Sequence, residues 1–253
     1  MSPLLMSLIV FACVLGGMFL GIFIRNRLPE HHLSGDTKDV VRLGTGLIGT
    51  IAALVLGLLI ASANSTYETQ SSQVQQLTAN IILLDRTLAQ YGPETASARS
   101  LLRRGVVSMA DQIWRENGSD SRKAAPFEAS AAAISLLGEI LKISPQNETQ
   151  RSLKTKAIDT VQDVGKTRLL LFAEAGSAIP MPFLVVLVSW LAIIFASFSL
   201  FAENNATTVA ALGIFALSAS ASIFLILELS QPFTGLMMIS SEPLRAALAP
   251  LSP

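Results

Sequence analysis

Charge is what this sequence has least of. Charged side chains make up 14% of its 253 residues, against about 25% in an ordinary soluble domain. Lysine and arginine balance aspartate and glutamate, 18 against 18, so no basic surplus exists to build a nucleic-acid-binding stripe. One cysteine, Cys13, excludes a disulfide within the chain and a thiolate metal cluster. It lies in an apolar run and reads as a small residue facing lipid or a neighbouring helix. The two histidines, His31 and His32, are adjacent. Zinc sites use spaced ligands that share a face, so this pair reads as solvated or interfacial, and no metal is expected. P-loop, nucleophile-elbow, zincin and dinucleotide-binding signatures are all missing. Nothing nominates a general acid or base in a cleft, and the expectation is a protein that is not an enzyme and has no cofactor.

What the sequence does have is oil. Hydrophobic residues form 51% of it, and the mean hydropathy is +0.54. The charges gather between Asp85 and Glu174, leaving four stretches long enough to cross a hydrocarbon core, which takes about 20 residues of helix. The first runs from Leu4 to Ile24. It has no basic leader, and its apolar run exceeds the usual 7–15 or so residues of a signal peptide, so it is expected to remain as a span. The second runs from Leu43 to Ala63. The third starts at Pro180 and Pro182, residue types suited to a first helical turn, and reaches Ala202. The fourth follows the potential caps Asn204 and Asn205 and ends near Leu229. No charge sits deep in any span; Glu228 lies at an end, where water is within reach. That absence argues against a proton-coupled pump.

Between the second and third stretches the periodicity changes. Val74, Leu77, Ile81, Leu84, Leu88 and Tyr91 alternate three and four apart, as coiled-coil seams do. They read either as the core of a bundle or as an interface between subunits. No breaker separates Ala63 from Val74, so the second span is expected to continue into this helix, up to Gly92-Pro93. A second amphipathic helix then places Leu102, Val106, Met109 and Ile113 on one face and stops at Asn117-Gly118. A loop, Ser119 to Pro126, leads to a third helix with Phe127, Ile134, Leu137 and Leu141 inward. Ser144-Pro145 reads as a cap and first turn of a fourth, with Leu153, Ala157, Val161 and Val164 inward and Gly176 ending it. In Asp85-Arg86 an exposed ion pair is expected. The fold class is therefore an all-α membrane protein: four transmembrane helices in two pairs, with a helical bundle between the second and third. The domain bounds are 1–63, 64–178, 179–229 and a tail, 230–253, whose stretch Leu244 to Leu248 is suited to lie along a membrane surface.

Two faces of the second span stand out. Gly46, Gly49, Ala53, Gly57 and Ala61 fall three or four apart and share one face, which lets another backbone approach closely. The partner is either another span of the same chain or further copies round an axis. Ile51, Val55, Leu58 and Ser62 share a second face and are the candidates for an apolar pore lining that gates by dewetting. Ser218 and Ser222 of the fourth span share a face and read first as helix-packing groups. Around the first loop, Arg25, Arg27, Lys38 and Arg42 are placed to meet lipid phosphates.

Several segments together resemble one family. They are Leu28-Pro-Glu-His-His-Leu-Ser-Gly-Asp36, Lys38-Asp-Val-Val, Leu43-Gly44 and Ala52-Ala-Leu-Val-Leu-Gly-Leu-Leu-Ile-Ala-Ser62. Next come Leu84-Asp85-Arg86, Tyr91-Gly92-Pro93-Glu94, Leu227-Glu-Leu-Ser-Gln-Pro-Phe-Thr-Gly-Leu236, Ile239-Ser240 and Pro243-Leu244. In this order and spacing they resemble the bestrophin-like domain family of bacterial membrane proteins, itself remotely similar to bestrophins. The resemblance implies a homo-oligomeric ring, pentameric in bestrophins. It also implies an apolar neck on the second membrane helix and an anion, chloride, as the permeant ion. It further implies a multi-pass protein of the bacterial inner membrane with the bundle in the cytoplasm, in contact with membrane lipid and with no nucleic-acid partner. The chain departs from bestrophins in having no phenylalanine along the second span and no acidic calcium clasp, so calcium gating is not implied. A second function class fits the same pattern: a non-conducting membrane scaffold or sensor whose helical domain binds a partner.

Overall fold

A computed structural model describes residues 2–29, 35–114, 133–174, 181–202 and 205–247. His31, His32, Glu30, Asn117-Gly118, Ser119 to Pro126, Phe127, Gly176, Pro180 and Asn204 lie outside the described residues. Every regular element among those described is a helix. They are α1 (Pro3–Arg25), α2 (Gly35–Tyr91), a short 3₁₀ turn (Pro93–Thr95), α3 (Ala96–Ile113), α4 (133–142), α5 (Glu148–Glu174), α6 (Met181–Phe201), α7 (Ala206–Leu229) and α8 (Glu242–Ala246). Four of them, α1, α2, α6 and α7, are long and apolar enough to cross a membrane.

Local chemistry sets the ends. Ser2 Oγ accepts from the Leu5 amide at 3.4 Å, with Pro3 in the first turn of α1. Asn205 Oδ1 accepts from the Thr208 amide at 2.7 Å and starts α7. The expected continuity of the second span holds: α2 is one helix of 57 residues, about 85 Å long at 1.5 Å per residue. It stops at Gly92, whose φ of 137° suits glycine alone. The Thr95 hydroxyl then donates to the carbonyls of Leu88 and Gly92, at 2.6 and 2.7 Å, satisfying the end of α2.

The chain divides into two compact units. The first joins Met1–Thr66 to Ala178–Ser230. Its core is Val10, Val14 and Met18 of α1, Leu184, Leu187, Ile194 and Phe195 of α6, Leu212, Ala216 and Ile223 of α7, and Ala52 of α2. Lipid tails are as apolar as leucine, so spans associate by close fit rather than by hydrophobic drive. The fit is closest between α1 and α6. A Cβ on Gly17 would stand 2.5 Å from the Ala192 carbonyl oxygen, and one on Gly21 would run into Ala196 and Ser199. Beside them the Ser199 hydroxyl reaches the Met18 carbonyl at 2.8 Å. Gly17 and Gly21 thus form a glycine-x-x-x-glycine contact, while Gly16 next door has nothing within 4 Å of its place for a Cβ.

The second unit joins Tyr67–Ser177 to Gln231–Pro253. Here the α2 seam, Val74 to Tyr91, is buried within the single chain, with Leu102, Val106 and Met109 of α3 and Ala157, Val161 and Leu171 of α5. Five expectations need correction. On α4 the buried residues are Leu136 and Ile140, whereas Ile134 and Leu141 are exposed. Leu137, also expected inward, packs half-buried against this core, and only the neighbours decide how far round the helix the buried face extends. The cap of α5 is Asn147, whose Oδ1 accepts from the Gln150 amide at 2.8 Å, rather than Ser144. Asp85 is buried and pairs across to Arg99, at 2.7 and 3.2 Å in a two-pronged contact, rather than standing exposed beside Arg86. Finally, Leu244 is fully buried in this core with Ile239, where a surface-lying segment was expected. Glu228, expected within reach of water, is buried as well.

Two predictions follow from these contacts. Gly17→Ala forces a methyl group against backbone, and overpacking of this kind costs about 1–3 kcal/mol. Thermal unfolding in detergent should fall for Gly17→Ala and not for Gly16→Ala; equal stability of the two would disprove the close contact. Tyr91 supplies the other. Its hydroxyl is buried and has no hydrogen-bond partner among the described residues. Burial first, and then the charge of Glu94, raise its pKa above the ordinary 10.0. A raised pKa means the fold favours the neutral phenol, so this contribution is complete below the ordinary value and is lost as pH climbs through the raised one. In an alkaline titration followed by phenolate absorbance, Tyr91→Phe should remove a late-rising component without loss of stability at neutral pH.

Candidate functional site

No group of three or more histidine, cysteine, aspartate or glutamate residues among those described is arranged to hold a metal ion. One open cleft of about 430 Å³ lies on the second unit, lined in part by Glu94, Ser97, Glu139 and Lys142. Lys142 Nζ sits 2.6 Å from Glu139 Oε1. This contact lowers the Glu139 pKa, through the hydrogen bond first and the ammonium charge second. The Ser97 hydroxyl donates to the other carboxylate oxygen, Glu139 Oε2, at 3.5 Å, and the Lys142 and Glu139 charges largely cancel.

The exposed flank of α2 in the first unit is a different matter. Its covered line is Thr45, Ala52 and Ala63. At 100° per residue, two further lines flank that one. The first holds the pore candidates: Ile51, Leu58 and Ser62 are exposed and Val55 is half-buried. The second holds the small residues: Gly46, Ala53, Gly57 and Ala61 are exposed and Gly49 is half-buried. A Cβ at Gly46, Gly49 or Gly57 would meet nothing within 4 Å. Among the described residues, therefore, these glycines pack against no other span. Between the two lines, pointing away from the covered side, stand Leu47 and Leu54, 64% and 65% exposed, with Leu58 of the first line beside them at 71%. Leu47 and Leu54 were missed in the sequence; their position opposite Thr45, Ala52 and Ala63 only matters once that line is known to be covered. Of the four candidate spans, α2 is also the least enclosed, with 11% of its most apolar window buried against 28% in each of the others.

Elsewhere the apolar helices use their polar groups on themselves. Ser220 donates to the Ala216 carbonyl at 2.9 Å and Ser222 to the Ser218 carbonyl at 3.1 Å, so these serines satisfy their own backbone. Cys13 is exposed on α1. Arg27 stacks over the Phe23 ring at 5.0 Å, a cation–π contact at the end of the same helix.

A family model for the bestrophin-like domain matches residues 12–244. The chain belongs to the bestrophin-like family. Solved structures agree in fold. A variant of the bacterial bestrophin homologue from Klebsiella pneumoniae with a tryptophan-to-alanine substitution superposes with a TM-score of 0.70 at 16% identity, over 99% of this chain and 96% of that one. An isoleucine-to-threonine variant gives 0.67 at 16% identity over 96% of each chain. A further structure of that homologue, phased on zinc, gives 0.66 at 16% identity over 94% of each. No curated protein matches the sequence. With four spanning-length helices and a bestrophin fold, the chain is a multi-pass membrane protein.

The open geometry around the α2 glycines has a direct consequence. Gly46→Ala and Gly57→Ala should leave helix content and monomer folding intact, since the added methyl meets nothing within 4 Å among the described residues. Loss of folded monomer, read by circular dichroism, would contradict the uncovered face.

Proposed function

We propose that this bestrophin-like protein assembles from identical copies into an ion channel whose constriction is the exposed apolar flank of α2. The single observation that carries the reading is that flank itself. Two lines of α2, one bulky and one small, are uncovered in the chain. A helix in a ring has two such needs: a side to approach the next copy and a side to face the axis. The glycine line, Gly46, Gly49, Ala53, Gly57 and Ala61, suits the first, because small residues allow backbones to close up. Ile51, Val55, Leu58 and Ser62 suit the second, where apolar side chains exclude water and ions until the ring widens.

The two pairs of spans, 1–63 and 179–229, cross the bacterial inner membrane, and the bundle 64–178 stands in the cytoplasm. Bestrophin kinship supports a pentamer and an anion, chloride, as the permeant ion. The scaffold or sensor alternative would be favoured by a glycine face sealed inside one chain, and that face is open.

Purified protein in planar bilayers tests the channel. Wild type should conduct little at rest, and Val55→Ser should raise basal conductance several-fold by wetting the neck. In a potassium chloride gradient the reversal potential should move towards that of chloride. Absence of current with either residue at 55 would remove the reading; a reversal near the potassium value would keep the channel and reverse its selectivity.

A further inference from the structure

Beyond the end of α7 the chain makes a turn that holds three apolar side chains outward in succession. Leu236 is 79% exposed, Met237 41% and Met238 53%. Their presentation is built, not loose. The Ile239 amide donates to the Pro232 carbonyl at 2.7 Å and the Thr234 amide to the Gln231 carbonyl at 3.1 Å, closing the base of the loop. Gly235, at φ 95°, makes the reversal that only glycine adopts without strain. Behind the loop, the Trp114 indole N–H donates to the Ile239 carbonyl at 2.7 Å, and its ring meets Phe233 edge-on at 5.7 Å between centroids. The neighbours Phe233 and Ile239 thus turn inward to a firm base, while the three residues at the tip turn out.

We infer that this tip, Leu236-Met237-Met238, is a lipid-contacting wedge seated in the boundary between headgroups and acyl chains. The inference rests on the membrane-spanning reading of α7, to which the tip is tethered along the chain. Three features on this segment select lipid over a protein partner. First, the chain is tethered: Leu236 lies seven positions after Leu229, the last residue of α7, so the tip lies within about 25 Å of the end of that helix. Second, no charged residue occurs between Glu228 and Glu242, so no fixed charge has to enter the boundary with the tip. Third, three consecutive outward side chains form a point rather than a face. A strand offers alternate residues to a partner and a helix every third or fourth, whereas a point suits a fluid solvent that closes around it. Methionine, unbranched and flexible, fits such an irregular setting.

Nitroxide labels report the surroundings directly. The full chain carrying Cys13→Ser would be labelled singly at Leu236→Cys, Met237→Cys or Met238→Cys and placed in vesicles of phosphatidylcholine and phosphatidylglycerol. Collisions with oxygen, which prefers lipid, would be compared with those of a water-soluble nickel chelate. Phe215→Cys, exposed on α7, serves as the lipid standard and Ser108→Cys, exposed on α3, as the water standard. The oxygen-to-nickel ratio at the tip should lie several-fold above that at Ser108 and approach that at Phe215. A ratio equal to that at Ser108 would place the tip in water and overturn the inference. Low access to both reagents would show a protein covering, a neighbouring copy included, and overturn it as well. Should Phe215 itself read as water, the membrane-spanning reading of α7 fails, an outcome distinct from failure at the tip alone.

Discussion

Hydrocarbon offers a helix neither hydrogen bonds nor a reason to stick to another helix, and the first unit is shaped by both denials. Backbone groups in lipid must be satisfied internally, so the apolar stretches are helical throughout, and even Ser220 and Ser222 turn back to carbonyls one turn earlier. Cohesion must come from shape. Gly17 and Gly21 bring the α1 backbone against Ala192 and Ala196 of α6, and Ser199 adds a hydroxyl bridge to Met18. Take away that fit and α1 is an oily cylinder with no preference for α6 over lipid.

The second unit is packed by the rules that hold for a core formed in water. The α2 seam is buried because water penalises exposed leucine and isoleucine, and polar groups that go in with it are tied down. Asp85 meets Arg99 through two hydrogen bonds, and Thr95 closes the end of α2. The segment after α7 belongs to this packing: Ile239 and Leu244 complete the core, and Arg245 reaches Asp111 at 3.2 Å. A single helix, α2, carries residues of both units, so one sequence passes from the lipid rule to the water rule within a few turns. The change shows in composition, from Leu58-Leu59-Ile60 to Gln70, Gln73 and Gln75-Gln76.

The sequence made some of this legible and hid the rest for definite reasons. Spans, their caps and the heptad seam follow from periodicity and from the chemistry of helix ends, both of which are local. The Asp85–Arg99 pair was hidden because Arg99 is fourteen residues away and across a turn, while Arg86 is adjacent. The α4 faces were ambiguous because Ile134 and Leu141, seven apart, and Leu136 and Ile140, four apart, each keep to one side of a helix. The glycines teach the most. Five small residues on α2 announce a close-approach face, yet the close approach within the chain is made by two glycines of α1. Spacing reveals that a face can be approached and says nothing of what approaches it.

The account stands on the claim that the uncovered flank of α2 faces the same flank in other copies around an axis. Disulfide trapping in native membranes tests it most directly. With Cys13→Ser as background, Leu58→Cys and Ile51→Cys should each yield covalent dimers on mild oxidation, because equivalent positions near an axis approach one another, whereas Leu225→Cys on exposed α7 should not. Monomer alone at both α2 positions, under conditions that exhaust free thiols, would contradict the claim.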